Sequence, residues 1–199
     1  MEEIWLKPPF NMLISGITNC GKTHYILDLL ENEYRNKFDY IIIFCPTFLE
    51  NKTYQRVFMD KDDDVVVIPV GKNLDSWLGI AIETYKNTNT LFIIDDCANL
   101  NDTKIKSSQL TKLAFSGRHY GISTWVIVQK YNSVVTDFRE NIRMLILYFN
   151  KDKDSLKDAL QENHIITKEQ ETKIVEHLRS SKNAKVILKL EYPYGITYK

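Results

Sequence analysis

An excess of charge of either sign is missing from this chain. Lys and Arg total 26, and Asp and Glu total 26. No net field draws the protein to nucleic acid, so such a partner has to be held by a local patch. Long hydrophobic runs are absent too, which excludes a membrane-spanning helix and leaves no expectation of a membrane partner. Cysteine is scarce. Cys20, Cys45 and Cys97 have neither disulfide nor zinc spacing, and they read as free thiols of a reducing compartment. There are no internal repeats, low-complexity tracts or linkers. The first strand begins within about a dozen residues of Met1, which leaves no room for a targeting peptide. What remains, 44% apolar and 26% charged in 199 residues, is the profile of one globular domain with a proper core.

Against that background one stretch stands out: Gly16-Ile17-Thr18-Asn19-Cys20-Gly21-Lys22-Thr23. It fits the phosphate-binding loop, a glycine and four residues followed by Gly-Lys-Thr. The apolar run Met12-Leu13-Ile14 leads in and a helical pattern leads out. A strand, a tight turn and a helix with free N–H groups at its start are what an anion site requires. Lys22 would reach the terminal phosphates, and the Thr23 hydroxyl would bind the accompanying Mg2+. His24 would lie near the phosphates or the base rather than act as a base itself.

Apolar runs and helical periodicities alternate along the chain. Strands are expected at about 12–15, 40–45, 65–68, 91–94, 124–128, 144–149 and 186–190, the last closing the chain. Pro69 points the third of these toward a sheet edge. Helices are expected from Gly21 to about Arg35, and over roughly 104–116, 154–163 and 168–180, with Thr167 and Gln170 forming a capping box. A further helix is capped by Asn73 and shares Leu74, Trp77, Leu78, Ala81, Ile82 and Tyr85 on one face. A short helix is expected near 52–58. The alternation predicts an α/β fold with a mainly parallel sheet covered on both faces. The core spans about 10–150, and residues 151–199 complete the domain.

In a parallel sheet all carboxyl ends lie on one edge, where ligands bind. The run Leu91-Phe92-Ile93-Ile94 ends there at Asp95-Asp96, about 70 residues after the loop. Asp95 would support the metal held by Thr23, and Asp96 would orient or deprotonate the attacking water. A solvated turn is the bland alternative. Gln129 ends the next strand and is either a γ-phosphate sensor or a polar cap. In Ser116-Gly117-Arg118-His119-Tyr120-Gly121, Arg118 is either an arginine finger for a neighbouring subunit's nucleotide or a solvated loop arginine. Asn150-Lys151-Asp152-Lys153 imitates the guanine-reading motif, but its fourth position is lysine, so it reads as a charged helix start.

Taken together, GITNCGKT, LFIIDDC, SGRHYGIS and VIVQ, in that order, resemble the FtsK–HerA class of DNA-pumping ATPases. Within that class they are most similar to the poxvirus-type genome-packaging ATPases of large DNA viruses. The likeness spans roughly residues 10–150. It implies a three-layer RecA-like core with the Gln129 strand between the loop strand and the Asp95 strand. It also implies ATP and Mg2+ as cofactors and a homo-oligomer, pentameric or hexameric, threading double-stranded DNA. A capsid or portal partner, and a location in the host cytoplasm or the virion, follow from the same resemblance. Carried over by position, Asp96 and Gln129 are catalytic, Arg118 is the trans finger with Arg139 and Arg143 as rivals, and residues 16–24 bind nucleotide. Many relatives have Glu where this chain has Asp96, which weakens the water-activating role.

Two segments mix basic and aromatic residues and are candidates for touching DNA: Phe48, Lys52, Tyr54, Arg56 and Phe58, then Lys130, Tyr131 and Arg139. A rival reading is a small nucleotide or nucleoside kinase, although the arginine-rich lid of such enzymes is absent. A non-hydrolysing nucleotide-binding module is a third. The intact Lys22, Thr23, Asp95 and Asp96 argue against it.

Overall fold

The computed structural model describes residues 5–50, 53–54, 64–71, 73–97, 107–163 and 166–199. Eight strands form one sheet: β1 (Asn11–Ser15), β2 (Tyr40–Phe44), β3 (Val65–Ile68), β4 (Thr90–Asp95), β5 (Ile122–Val128), β6 (Met144–Tyr148), β7 (Lys185–Lys189) and β8 (Gly195–Tyr198). Their spatial order is β3-β2-β4-β5-β1-β6-β7-β8. The first six run parallel, and β7 and β8 add on antiparallel. β3 is the edge that Pro69 suggested. β5 lies between β1 and β4, as the resemblance implied.

The central strands are continuous apolar runs because both sheet faces are covered. On one face Met12, Ile14, Ile93 and Ile127 pack against helix α1 (Lys22–Glu31) and the lead-in residues Leu6 and Phe10. Trp125, fully buried, anchors that layer among the rings of Phe10, Tyr34 and Phe38, at 5.9, 5.1 and 5.9 Å. On the other face Leu13, Phe92, Val126 and Leu145 meet α2 (Leu74–Tyr85), α3 (Ser108–Ser116), α4 (Thr136–Glu140), α5 (Lys153–Gln161) and α6 (Lys168–Ser180). Each such side chain contributes about 1.5–3 kcal/mol of transfer free energy.

Several local expectations change. α1 stops at Glu31 rather than near Arg35. The Asn32 backbone N–H and side-chain amide both bond to Asp28 O (3.1 and 2.8 Å) and end the helix, yet Tyr34 still reaches the core. Asn73 occupies the N-cap of α2 without a side-chain bond. Trp77 is 42% exposed, because α2 buries only the narrower stripe Leu74, Leu78, Ala81 and Ile82. β7 does not close the chain, since β8 returns beside it. The capping box at Thr167 and Gln170 forms. Of the expected helix at 52–58 only residues 53–54 are described, and they are helical; the start of the expected helix at 104–116 lies outside the described residues.

Candidate nucleotide-binding site

Strand β1 ends at Ser15, and the chain must turn at once into α1. Gly16 N–H bonds to Val128 O (3.2 Å) and Ile17 N–H to Phe149 O (3.4 Å), so the loop is tied to the ends of β5 and β6. Only glycine fits at position 16, where a Cβ would come within 2.4 Å of Tyr148 Cβ. Gly21 sits at φ +94° and Asn19 at φ 61°, both left-handed, which reverses the chain. No side chain caps α1, so its first N–H groups face the loop's concavity, as an anion site needs. Lys22 Nζ folds onto the loop and donates to Gly16 O (2.7 Å) and Ile17 O (2.9 Å).

The sheet brings the acidic strand end to the same place. Thr23 Oγ1 donates to Asp95 Oδ2 at 3.1 Å. Asp95 is the last residue of β4 and is buried, at 5% exposure. Burial pushes its carboxyl up to about 6. The Tyr54 hydrogen bond lowers it, the Asp96 charge raises it, and the Thr23 hydrogen bond lowers it. Asp96 follows at φ 56°, a left-handed turn that swings it off the strand line. Gln129, one residue beyond β5, donates from Nε2 to Asp96 Oδ1 at 3.4 Å. The Gln129 backbone is fixed in turn, its carbonyl accepting from Asn150 Nδ2 at 2.7 Å.

A cavity of about 340 Å3 opens among these groups, lined by Thr18, Asn19, Gly21, Lys22, Thr23, His24, Thr53, Asp95, Asp96 and Gln129. The volume suits a small-molecule ligand. Thr23 and Asp95 present hard oxygens side by side. Among the described residues no three His, Cys, Asp or Glu converge as a metal cage. That donor set fits Mg2+, which takes one or two protein oxygens and draws the rest from phosphates and water.

Arg118 is exposed and lies in the 3-10 helix Gly117–Tyr120, directly before β5. The seven residues of β5 separate it from Gln129, a distance of about 20 Å or more, so it cannot serve the site of its own chain. Its rivals are engaged elsewhere. Arg139 pairs with Glu162, lies over the Tyr131 ring at 5.0 Å and is 9% exposed at the side chain. Arg143 pairs with Glu191 at 2.8 Å.

Burial removes the two tyrosines from the expected DNA-touching segments. Tyr54 is fully buried, with its hydroxyl 2.7 Å from Asp95 Oδ2. Tyr131 is buried and donates to Glu162 (3.0 Å), and Lys130 pairs with Asp152 at 2.8 Å. Phe48 is half-buried against the Tyr54 ring, 5.8 Å away. Lys52, Arg56 and Phe58 lie outside the described residues. Asp152 caps α5 through Ser155 N–H, which accounts for the guanine-motif imitation as a helix start.

Sequence reasoning missed two neighbours of the site. Tyr54 lies in a stretch without periodicity, so nothing marked it as core. Asn183, in the turn between α6 and β7, comes within 3.8 Å of where a Gly21 Cβ would stand. Its proximity follows from β7 running antiparallel, which no local pattern announces.

Residues 2–192 match the family model described as Poxvirus A32 protein. The DNA packaging protein OPG160 of vaccinia virus (strain Copenhagen) is 27% identical over 150 residues, covering 71% of this chain and 53% of that protein. Its variola virus counterpart is 27% identical over 151 residues, covering 71% and 54%. The chain thus spans about half the length of the curated relatives it matches. Among solved structures, the genome packaging NTPase B204 from Sulfolobus turreted icosahedral virus 2, in complex with ATP-gammaS, superposes with a TM-score of 0.68. It is 16% identical, with 97% of this chain and 98% of that chain covered. The pCW3 conjugation coupling protein TcpA, with ATPgS, gives a TM-score of 0.65 at 14% identity, covering 96% and 60%.

Proposed function

The chain belongs to the Poxvirus A32 protein family, and from that premise we propose that it is a magnesium-dependent ATPase that drives double-stranded viral DNA into a capsid. The observation that carries the reading is the meeting of five predicted groups at one sheet edge. Lys22 and Thr23 open α1, Asp95 ends β4 within 3.1 Å of Thr23, and Asp96 is in contact with Gln129. The packaging proteins among its relatives, and the nucleotide analogues bound by B204 and TcpA, support the same reading.

Residues 16–24 wrap the phosphates, with backbone N–H groups of the loop and the α1 start as donors. Lys22 exchanges its two carbonyl partners for terminal phosphate oxygens. Thr23 and Asp95 would hold Mg2+, which would supply charge neutralisation to the phosphates. Asp96 accepts a proton from water attacking the γ-phosphorus and directs its lone pair in line. Gln129 bonds to Asp96 and lies within the same cavity, so loss of the γ-phosphate changes its partner and is reported along β5. Arg118 projects from the opposite sheet edge and serves the site of an adjacent subunit in a five- or six-membered ring. Assembly takes place in the host cytoplasm or the forming virion, with a capsid or portal protein as dock. All of residues 1–199 act as one ATPase domain.

The test is the steady-state ATPase rate with and without linear double-stranded DNA, over a range of protein concentration. The rate per subunit is expected to rise with both, and Lys22→Ala to abolish it. Arg118→Ala subunits are expected to lose activity alone and to regain part of it when mixed with Lys22→Ala subunits. A rate indifferent to DNA and to protein concentration overturns the motor and leaves a kinase-like phosphotransferase to be sought among phosphate acceptors.

A further inference from the structure

We propose that Tyr54 is a positioning residue for the magnesium–nucleotide complex, acting through Asp95. This rests on the function proposed above. The Tyr54 hydroxyl donates to Asp95 Oδ2 at 2.7 Å, and Thr23 Oγ1 donates to the same oxygen at 3.1 Å. The two donors are not equivalent. Thr23 would be a ligand of a bound metal, and its hold on Asp95 would then change. Tyr54 lies behind Asp95 and would keep its bond. It is fully buried in the layer that holds Ile43, Cys45 and Trp125, and its ring packs against Phe48 at 5.8 Å. A strand fixes the Asp95 backbone but leaves the carboxylate free to rotate about its last bond. The Tyr54 bond removes that freedom and keeps the plane of the carboxylate set beside Thr23. Groups placed this way behind a metal ligand commonly change metal affinity 10–100-fold when removed.

The position of Tyr54 in the chain gives this bond a second consequence. It comes from the connection between β2 and β3, which contains no motif residue. One end of that connection is tied at Cys45, whose thiol lies 3.6 Å from Thr47 Oγ1. Thr53, beside Tyr54, lines the cavity with Lys22 and Asp96. The connection therefore meets the site at two adjacent residues, one at its wall and one behind its acid.

The experiment is a Mg2+ titration of the whole chain in the presence of a fluorescent ATP analogue, together with the analogue's affinity in EDTA. Tyr54→Phe keeps the ring and removes only the donor. We expect its metal-free nucleotide affinity to stay within about twofold of wild type, and its half-maximal Mg2+ concentration to rise about tenfold. Phe48→Leu is the control: it loosens the packing around the ring and leaves the hydroxyl in place. Its melting temperature is expected to fall while its Mg2+ midpoint stays put. A Tyr54→Phe titration that overlays wild type overturns the inference, and so does an equal Mg2+ shift in Phe48→Leu, which would make the effect one of packing. Absence of Mg2+-dependent nucleotide binding in the wild type overturns the proposed function itself and this inference with it.

Discussion

Replacing Asp95 by Asn is expected to stabilise the nucleotide-free protein at neutral pH while ending its response to Mg2+. Asp95 is held at about 6, against an ordinary carboxyl value of 3.8, chiefly because burial disfavours its charge. A carboxyl whose folded value lies above its unfolded value favours folding in its protonated form. That advantage is complete below pH 3.8 and is gone once the pH has risen through about 6. At 1.36 kcal/mol per pH unit the ionised form therefore costs about 3 kcal/mol at pH 7.5. Part of the cost is already present at pH 4.5, about 1 kcal/mol by the same linkage. The amide that Asp95→Asn introduces is never ionised, and its oxygen can still accept from Tyr54 and Thr23. The stability gained by the substitution should accordingly widen by about 2 kcal/mol from pH 4.5 to pH 7.5. Urea unfolding of both proteins at the two pH values, without nucleotide or metal, measures this directly. The difference between pH values isolates the charge, since any packing defect of the variant enters both equally. A gap that stays constant within about 0.5 kcal/mol, or narrows at higher pH, would refute the account of Asp95 as a charge held at a cost for metal binding.

Gly16→Ala places a Cβ 2.4 Å from Tyr148 Cβ, beside the β6 backbone that cannot easily retreat. It is expected to lower stability by about 1–3 kcal/mol in chemical denaturation and to weaken nucleotide binding with it. The three cysteines should resist iodoacetamide in the native state at pH 8 and all react in urea, as read by mass spectrometry. All are buried, and burial pushes Cys45 up to about 11 and also raises Cys20 and Cys97. Arg139→Ala should destabilise the fold by about 1–2 kcal/mol without any trans complementation, because it removes a stack on Tyr131 and a bond to the exposed Glu162.

The phosphate loop and the sheet were legible because each has a local cause that leaves a local mark. A buried parallel strand must be apolar throughout, as Leu91 to Ile94 are, and a turn against a phosphate must carry glycine, as at Gly16 and Gly21. The meeting of Asp95 with Thr23 was legible one step further on, from the rule that parallel strands end on one edge. What escaped was set by long-range geometry. Tyr54 is core because it reaches Asp95 at the end of β4, 41 residues away in the chain. Trp77 has the spacing of a buried residue, yet it lies outside the strip that α2 presses on the sheet. β8 is short and half-buried at every position but Tyr198, so its apolar signal is weak. Arg139 and Tyr131 looked like a basic–aromatic surface, but Tyr131 is buried and Arg139 stacks on its ring and pairs with Glu162.

The place of β1 in the sheet governs how this chain can be made. Its neighbours are β5 and β6, which begin at Ile122 and Met144. A ribosome adding roughly 5–20 residues per second leaves β1 unpartnered for on the order of ten seconds after it emerges. Through that interval the loop of residues 16–23 has no seat, since Val128 and Phe149, the carbonyls that fasten it, do not yet exist. The loop takes its shape only after β5 and β6 have been made, on a sheet closed from its middle. Until then the mostly apolar stretch from Phe10 to Ile14, buried in the folded protein, stays exposed.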